Sequence, residues 1–201
     1  MRYSYHMKPI LRTFLLALTF LFLFSGSVYG DEPVVKKEYW DNGKLKSETH
    51  YKDAEPNGLE IYWSKDGNKI FEATNKNGKR EGIARSWYED GRRRRVVNYK
   101  DGKVHGFLTA WDKSGKIDFK DHYINDERDG VSIIWYPNGQ KMSEIHLKNG
   151  KYDGVSKYWY RNGQYMSEYH YRNGKTNGLG IEWSKDGTIK FEGNFVDGVQ
   201  R

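Results

Sequence analysis

The stretch that decides the fold runs from Trp159 to Leu179, WYRNGQYMSEYHYRNGKTNGL. Asn162-Gly163 and Asn173-Gly174 are turn signals, because Asn and Gly enter the positive-φ region that tight hairpin turns require. Between them Tyr169 and Tyr171 alternate with Glu168 and His170, the period of two expected of a strand with two unlike faces. A further glycine, Gly178, precedes a second extended run toward Trp183.

Outward from this stretch the pattern recurs every 24 residues. Gly43, Gly67, Gly91, Gly115, Gly139, Gly163 and Gly187 form one column, and four residues before each stands Tyr39, Trp63, Trp87, Trp111, Trp135, Trp159 or Trp183. Six of the seven tryptophans therefore occupy one repeat position. A second glycine column runs from Gly58 to Gly178, and a third from Gly78 to Gly198 is broken by Ala54 and Asp126. Two glycine-bearing turns per period leave two segments of about 6 to 8 residues, a usual strand length, so each copy reads as one β-hairpin. The expected fold is all-β: an elongated single-layer antiparallel sheet of about seven 24-residue hairpins over residues 39–201. It lengthens by about 9.6 Å per hairpin, to roughly 65 Å. A propeller blade needs about 40 to 50 residues, which excludes that closure.

Alternation sorts the side chains. Leu59, Ile61 and Trp63 share one face, as do Val131, Ile133 and Trp135. In the other strand Tyr51, Tyr99, Tyr123, Tyr171 and Phe195 form a column, and Glu48, Glu72, Glu144, Glu168 and Glu192 fall on the opposite side, which reads as a polar face. This explains a strongly polar mean hydropathy in a chain that is 16% aromatic. A sheet with no second layer covers itself with broad side chains lying along neighbouring strands.

The first thirty residues differ. Arg2, Lys8 and Arg12 precede an 11-residue apolar run, Phe14 to Phe24, and small residues lead to Gly30. That run is short of the ~20 residues of a spanning helix and fits a signal peptide over residues 1–30, cleaved after Gly30, with a short linker at 31–38; an uncleaved anchor over the charge-free stretch from Thr13 to Gly30 is the alternative. The expected destination is periplasmic, cell-surface or secreted. Without those three basic residues the formal charge falls from +7 to +4. Arg92 to Arg95 is the one dense basic run, and a run of four is a solvated strand or turn more often than a nucleic-acid site, so no nucleic-acid partner is expected.

Chemistry is sparse. With no cysteine in the 201 residues, disulfides, thiolate metal sites and thiol nucleophiles are excluded. His50, His122, His146 and His170 share one repeat position. Equivalent residues of adjacent hairpins lie about 9.6 Å apart, whereas metal ligands all sit at ~2 Å from one ion, so this column reads as a polar stripe. No Gly-x-Ser-x-Gly or His-Glu-x-x-His motif occurs. No catalytic residue, metal or cofactor is expected.

The Trp, Asn-Gly, Glu, Tyr and second Asn-Gly pattern, as in Trp135, Asn138-Gly139, Glu144 and Asn149-Gly150-Lys151, resembles the bacterial MORN-repeat variant. The resemblance covers residues 39–201. It implies a hairpin-repeat scaffold, a role in protein-protein or membrane contact, and a description shared by much of that group, the antitoxin component of toxin-antitoxin modules. An exported chain would meet a secreted or cell-surface toxin.

Binding is the remaining class. Trp63, Trp87, Trp111, Trp135, Trp159 and Trp183 are the candidate interaction surface, because a single layer leaves such rings uncovered from above. Arg93 and Arg94 join them, since their copy and the next replace the Glu by Val96 and Lys120. The expected partner is another protein; the alternative is an envelope module that stacks its rings on cell-wall glycan or lies against a membrane surface.

Overall fold

The computed structural model describes residues 32–201. The signal expected in residues 1–30 lies outside them. Among the described residues every regular element is a strand: β1 (Val34–Tyr39), β2 (Leu45–Lys52), β3 (Glu55–Trp63), β4 (Lys69–Lys76), β5 (Lys79–Arg80), β6 (Gly82–Trp87), β7 (Arg93–Lys100) and β8 (Lys103–Trp111). There follow β9 (Ile117–Ile124), β10 (Glu127–Trp135), β11 (Lys141–Lys148), β12 (Lys151–Trp159), β13 (Tyr165–Arg172), β14 (Lys175–Trp183), β15 (Ile189–Val196) and β16 (Val199–Gln200). All sixteen belong to one open antiparallel sheet in which sequence neighbours pair. β5 and β6 are two parts of one strand against β4, parted at Glu81, whose N–H still donates to the Thr74 carbonyl at 2.9 Å. The segment read as a linker contributes β1, which pairs with β2 along its whole length, so the sheet begins at Val34.

Two kinds of turn alternate. The third glycine column makes two-residue turns with both residues at positive φ, as at Asn173 (50°) and Gly174 (84°). That is the type I′ geometry whose twist suits a hairpin. Where the column is broken, Ala54 and Asp126 still take φ of 61° and 72°. The first glycine column closes the longer loop after each Trp: Tyr160 N–H donates to Gln164 O and Gly163 N–H to Tyr160 O, both at 2.8 Å.

Each repeat also carries two bulges. Thr49 pairs with Glu60 and Tyr51 with Pro56, so one residue of β2 faces three of β3. The second glycine column sits in this excess. At Gly154 the backbone has φ of 112°, and an added Cβ would come within 3.0 Å of the His146 Cβ. Glycine thus turns the bulge and seats the histidine column. Beside the Trp, Ile134 pairs with Ser143 and then Trp135 with Lys141, leaving Met142 as a single extra residue.

Neighbouring repeats are tied at both margins. At the two-residue turns the Gly102 N–H donates to Arg80 O at 2.9 Å, and the Gly174 N–H to Tyr152 O at 2.8 Å. At the other margin the hydroxyls of Tyr88, Tyr136 and Tyr160 donate to the carbonyls of Trp111, Trp159 and Trp183 at 2.8, 2.9 and 2.8 Å.

Register separates the faces. Lys157 pairs with Glu168, Val155 with His170 and Trp159 with Tyr165, so the Glu and His columns share the side of the tryptophans. The expectation that glutamates mark a separate polar face is corrected: they stand among the Trp, Ile and Val side chains, because the single-residue bulge reverses the alternation after each Trp loop. The tyrosine column lies on the other face, with Ser156 opposite Tyr169 and Tyr169 opposite Gly180.

Apart from Asp121, the most buried side chains are small: Ala73, Ala84, Ala110, Ser132, Ser143 and Ser156. They belong to the tyrosine face and make room for the rings beside them. Tyr169 lies on Gly180 so closely that a Cβ there would come within 2.5 Å of the ring. Rings then meet across strands, Tyr169 with Phe195 at 5.9 Å and Tyr152 with Tyr171 at 5.0 Å between centroids.

Ala54→Gly is expected to stabilise the protein by about 1 kcal/mol, because an L-residue in the left-handed region costs ~1–2 kcal/mol and glycine gives part of that back in chain entropy. Asp126→Gly should gain less, since it loses the 2.7 Å bond that Asp126 Oδ1 accepts from Val104 N–H. Urea denaturation midpoints of both variants check this.

Candidate interaction face

The tryptophan face is built from three cross-strand rows. The first joins each Trp to the residue six positions later: Trp63 to Lys69, Trp87 to Arg93, Trp135 to Lys141, Trp159 to Tyr165. The intervening side chain then reaches the next Trp. Lys69 lies 5.8 Å from the Trp87 ring, Arg93 5.1 Å from Trp111, Lys141 5.7 Å from Trp159, and Tyr165 5.6 Å from Trp183. The result is a line of rings and cations, with Ile117 and Ile189 as apolar members and each of these cations held over a π face.

In the second row Glu48, Glu72, Glu144 and Glu168 pair with bases on neighbouring positions, among them Lys37 at 3.1 Å, Lys69 at 2.7 Å and Lys157 at 3.5 Å. The Lys37 ammonium, then His50, holds the Glu48 carboxyl below its usual range. From β6 to β10 this row has no acid: it runs Arg85, Val96, Thr109, Lys120, Ile133. Lys120 lies 4.2 Å from the Phe107 ring instead.

The third row alternates apolar residues with the histidine column, as in Phe107–His122, Val131–His146 and Val155–His170. His146 Nδ1 is 2.7 Å from Val155 O, whereas His170 Nε2 approaches Glu168 at 3.6 Å. Among the described residues no group of three or more His, Asp and Glu side chains is placed to hold a metal ion.

All six predicted tryptophans fall in the first row, and Arg93 sits between two of them. Arg94 does not: it occupies the bulge, 5.8 Å from the Tyr88 ring. The run Arg92 to Arg95 is therefore dispersed, with Arg92 paired to Asp90 in the turn at 2.6 Å and Arg95 on the tyrosine face opposite Ser86. The interleaved Lys69, Lys141 and Tyr165 were absent from the predicted set, although their position six after each Trp is a periodic signal.

The tyrosine face closes on itself. Tyr62 donates to Glu60 at 2.9 Å and Tyr169 to Glu182 at 2.7 Å. Asp121, 2% exposed, accepts from Ser132 Oγ and meets Arg128 at 3.0 Å. Where both small positions of one strand coincide, at Ala84 and Ser86, a depression of about 190 Å³ opens between Phe71, Tyr99, Arg80 and Arg95.

Four segments, 34–53, 80–101, 128–149 and 152–173, match the family model described as MORN repeat variant. Each is a hairpin around a Trp-side loop, from β1–β2 to β12–β13, followed by a two-residue turn. No curated protein matches the chain. The matches and the sheet together establish a hairpin-repeat scaffold.

The tyrosine face carries its own pH dependence. Burial first, then the bonds to Glu60 and Glu182, pushes Tyr62 and Tyr169 from 10.0 up to about 12. Burial, then the Tyr152 hydroxyl, raises Tyr158 as well. The fold favours the neutral phenol, so above about pH 10 the unfolded chain binds fewer protons than the folded one and stability falls as pH rises. This contribution is complete below about pH 10. Denaturation midpoints should decline above that value, and less steeply in Tyr158→Phe.

Proposed function

We propose that this chain is an exported, non-catalytic scaffold that binds a protein partner along its tryptophan face. The observation that carries the reading is where apolar surface is left uncovered. Of the eleven exposed large apolar side chains among the described residues, Val35, Tyr39, Ile83, Phe107, Ile117, Tyr165 and Ile189 stand in the three rows of the tryptophan face. Ile124, Val196 and Val199 flank two-residue turns, and Val34 alone lies on the tyrosine face, on the first strand. Contiguous exposed apolar surface rimmed by charge marks an interaction site, and repeat proteins bind along such extended faces. The resemblance to the MORN-repeat variant adds an immunity-like form of this reading, in which the partner is an exported toxin.

Trp135→Ala/Trp159→Ala is expected to remain folded by circular dichroism and to bind the partner at least tenfold more weakly, because aromatic anchors dominate protein interfaces. A defined polypeptide that co-purifies at fixed stoichiometry with the wild-type chain, and rebinds it when both are pure, is the measurement. Undiminished binding by the variant overturns the reading. Sedimentation with purified cell-wall glycan or liposomes, lost in the same variant, would assign the face to the envelope instead. N-terminal sequencing of the exported chain should begin at Asp31.

A further inference from the structure

The stems of the two-residue turns carry like charges directly opposite each other. Lys76 pairs with Lys79, Lys100 with Lys103, Lys148 with Lys151 and Arg172 with Lys175. By strand alternation these side chains share the tryptophan face with the histidine row, and all are exposed. Like charges directly across a strand pair are destabilising. None of these eight cations enters an ion pair among the described residues, whose salt bridges lie in the inner rows, the Trp-side loops and the tyrosine face.

Four acids at that margin are used elsewhere. Glu81 accepts from the Asp101 N–H at 2.8 Å, Asp126 from Val104 at 2.7 Å, Asp129 from Asn149 at 3.0 Å and Asp153 from Asn173 at 3.2 Å. They hold the backbone of adjacent turns and leave the stem lysines free. The fold does not require lysine there: the stem Lys52–Glu55 has opposite charges and Ile124–Glu127 has one apolar side, with the same turn geometry. The opposed cations are a cost that the architecture does not impose.

We propose that this margin receives an extended acidic segment of the partner protein, whose carboxylates bridge the cation pairs while its apolar side chains meet the tryptophan face. The inference rests on the protein-scaffold reading and adds the partner's chemistry. On each side of the Ile124–Glu127 stem, successive hairpins place two cation pairs about 9.6 Å apart, close to one three-residue turn of a polyproline-II segment at ~3.1 Å per residue, so an acidic residue at every third position of a segment in that conformation faces both. The acid-free stretch from Arg85 to Ile133, with Arg93 over Trp111 and Lys120 over Phe107, continues the same polarity inward.

The test uses the chain from Asp31 to Arg201 with residues 1–30 removed by its own export, and a fluorescein-labelled 21-residue peptide of repeating Glu-Thr-Val, about seven triplets to match the repeats. Fluorescence anisotropy should show binding that weakens at least tenfold between low and moderate salt, as screening requires, and no binding of the Gln-Thr-Val peptide. Lys100→Gln/Lys103→Gln/Lys148→Gln/Lys151→Gln should lose at least tenfold in affinity while melting at or above the wild-type temperature at low salt. That stability gain separates lost recognition from lost folding. Lys65→Gln/Lys113→Gln/Lys185→Gln, at the opposite margin, should bind as wild type. Equal binding by the quadruple variant overturns the proposal, as does tighter binding of oligothymidylate or of phosphatidylglycerol vesicles than of the acidic peptide. A quadruple variant that binds the peptide normally, beside a Trp135→Ala/Trp159→Ala protein that loses the partner, removes this inference and leaves the scaffold reading standing.

Discussion

A ring in this sheet is covered by the strand beside it, and the rest of the structure depends on that lateral contact. Tyr169 lies over Gly180, His146 over Gly154, and Tyr165 between Trp159 and Trp183. With no second layer among the described residues, a side chain finds its cover only where the neighbouring strand gives up volume. Each such pair contributes roughly 0.2–1 kcal/mol, so no single contact holds the sheet. The repetition does, through bonds that tie each copy to the next at both margins. Stability of this kind is nearest-neighbour and spreads evenly along the chain.

The turns were legible in the sequence because their cause is local. Asn-Gly and Asp-Gly mark a turn or a bulge in every glycine column, although only the third column, as at Asn173-Gly174, makes type I′ turns, and seven in-register copies made the hairpin repeat readable without coordinates. Ala54 and Asp126 show the limit of even that rule: the chain enters the left-handed region there with φ of 61° and 72°, as it does at the glycines of the same column. The assignment of faces was not legible. Alternation holds within a strand, but one extra residue beside each Trp reverses it, and nothing in Met142 or Met166 announces a bulge. The same slip sends Arg92 to Arg95 to four different surroundings, so a basic run that reads as one patch is none.

The two faces answer different physical demands. On the tyrosine face, Glu60, Glu182 and Arg128 satisfy the tips of rings whose bodies are already covered, and the buried Asp121 has both a hydroxyl and a guanidinium partner. That face is a core turned outward. The tryptophan face also carries rings but spaces them with Lys69, Arg93 and Lys141, whose long stems cover ring surface while their charges stay in water. Such a surface leaves ring area uncovered beside charge, as the proposed partner face requires.

A perfectly periodic face has one defect as a binding surface: a partner displaced by one 24-residue step meets the same side chains, so affinity gives no register. Nearest-neighbour stability allows the cure, because one copy can change without unfolding its neighbours. Strands β6 to β9 use that freedom. There the ion-paired glutamates give way to Val96 and Lys120, while Ile83 and Phe107 stand exposed. Arg85 keeps its link to Glu72 at 3.5 Å, and Lys120 rests on Phe107, so the altered copies remain in the sheet. Displacement by one repeat would carry a partner group matched to this acid-free centre onto Glu72 or Glu144, where the charge is opposite. For the proposed partner, discrimination would then come from the repulsive position as much as from the attractive one, with the irregular copies as the address that the regular ones lack.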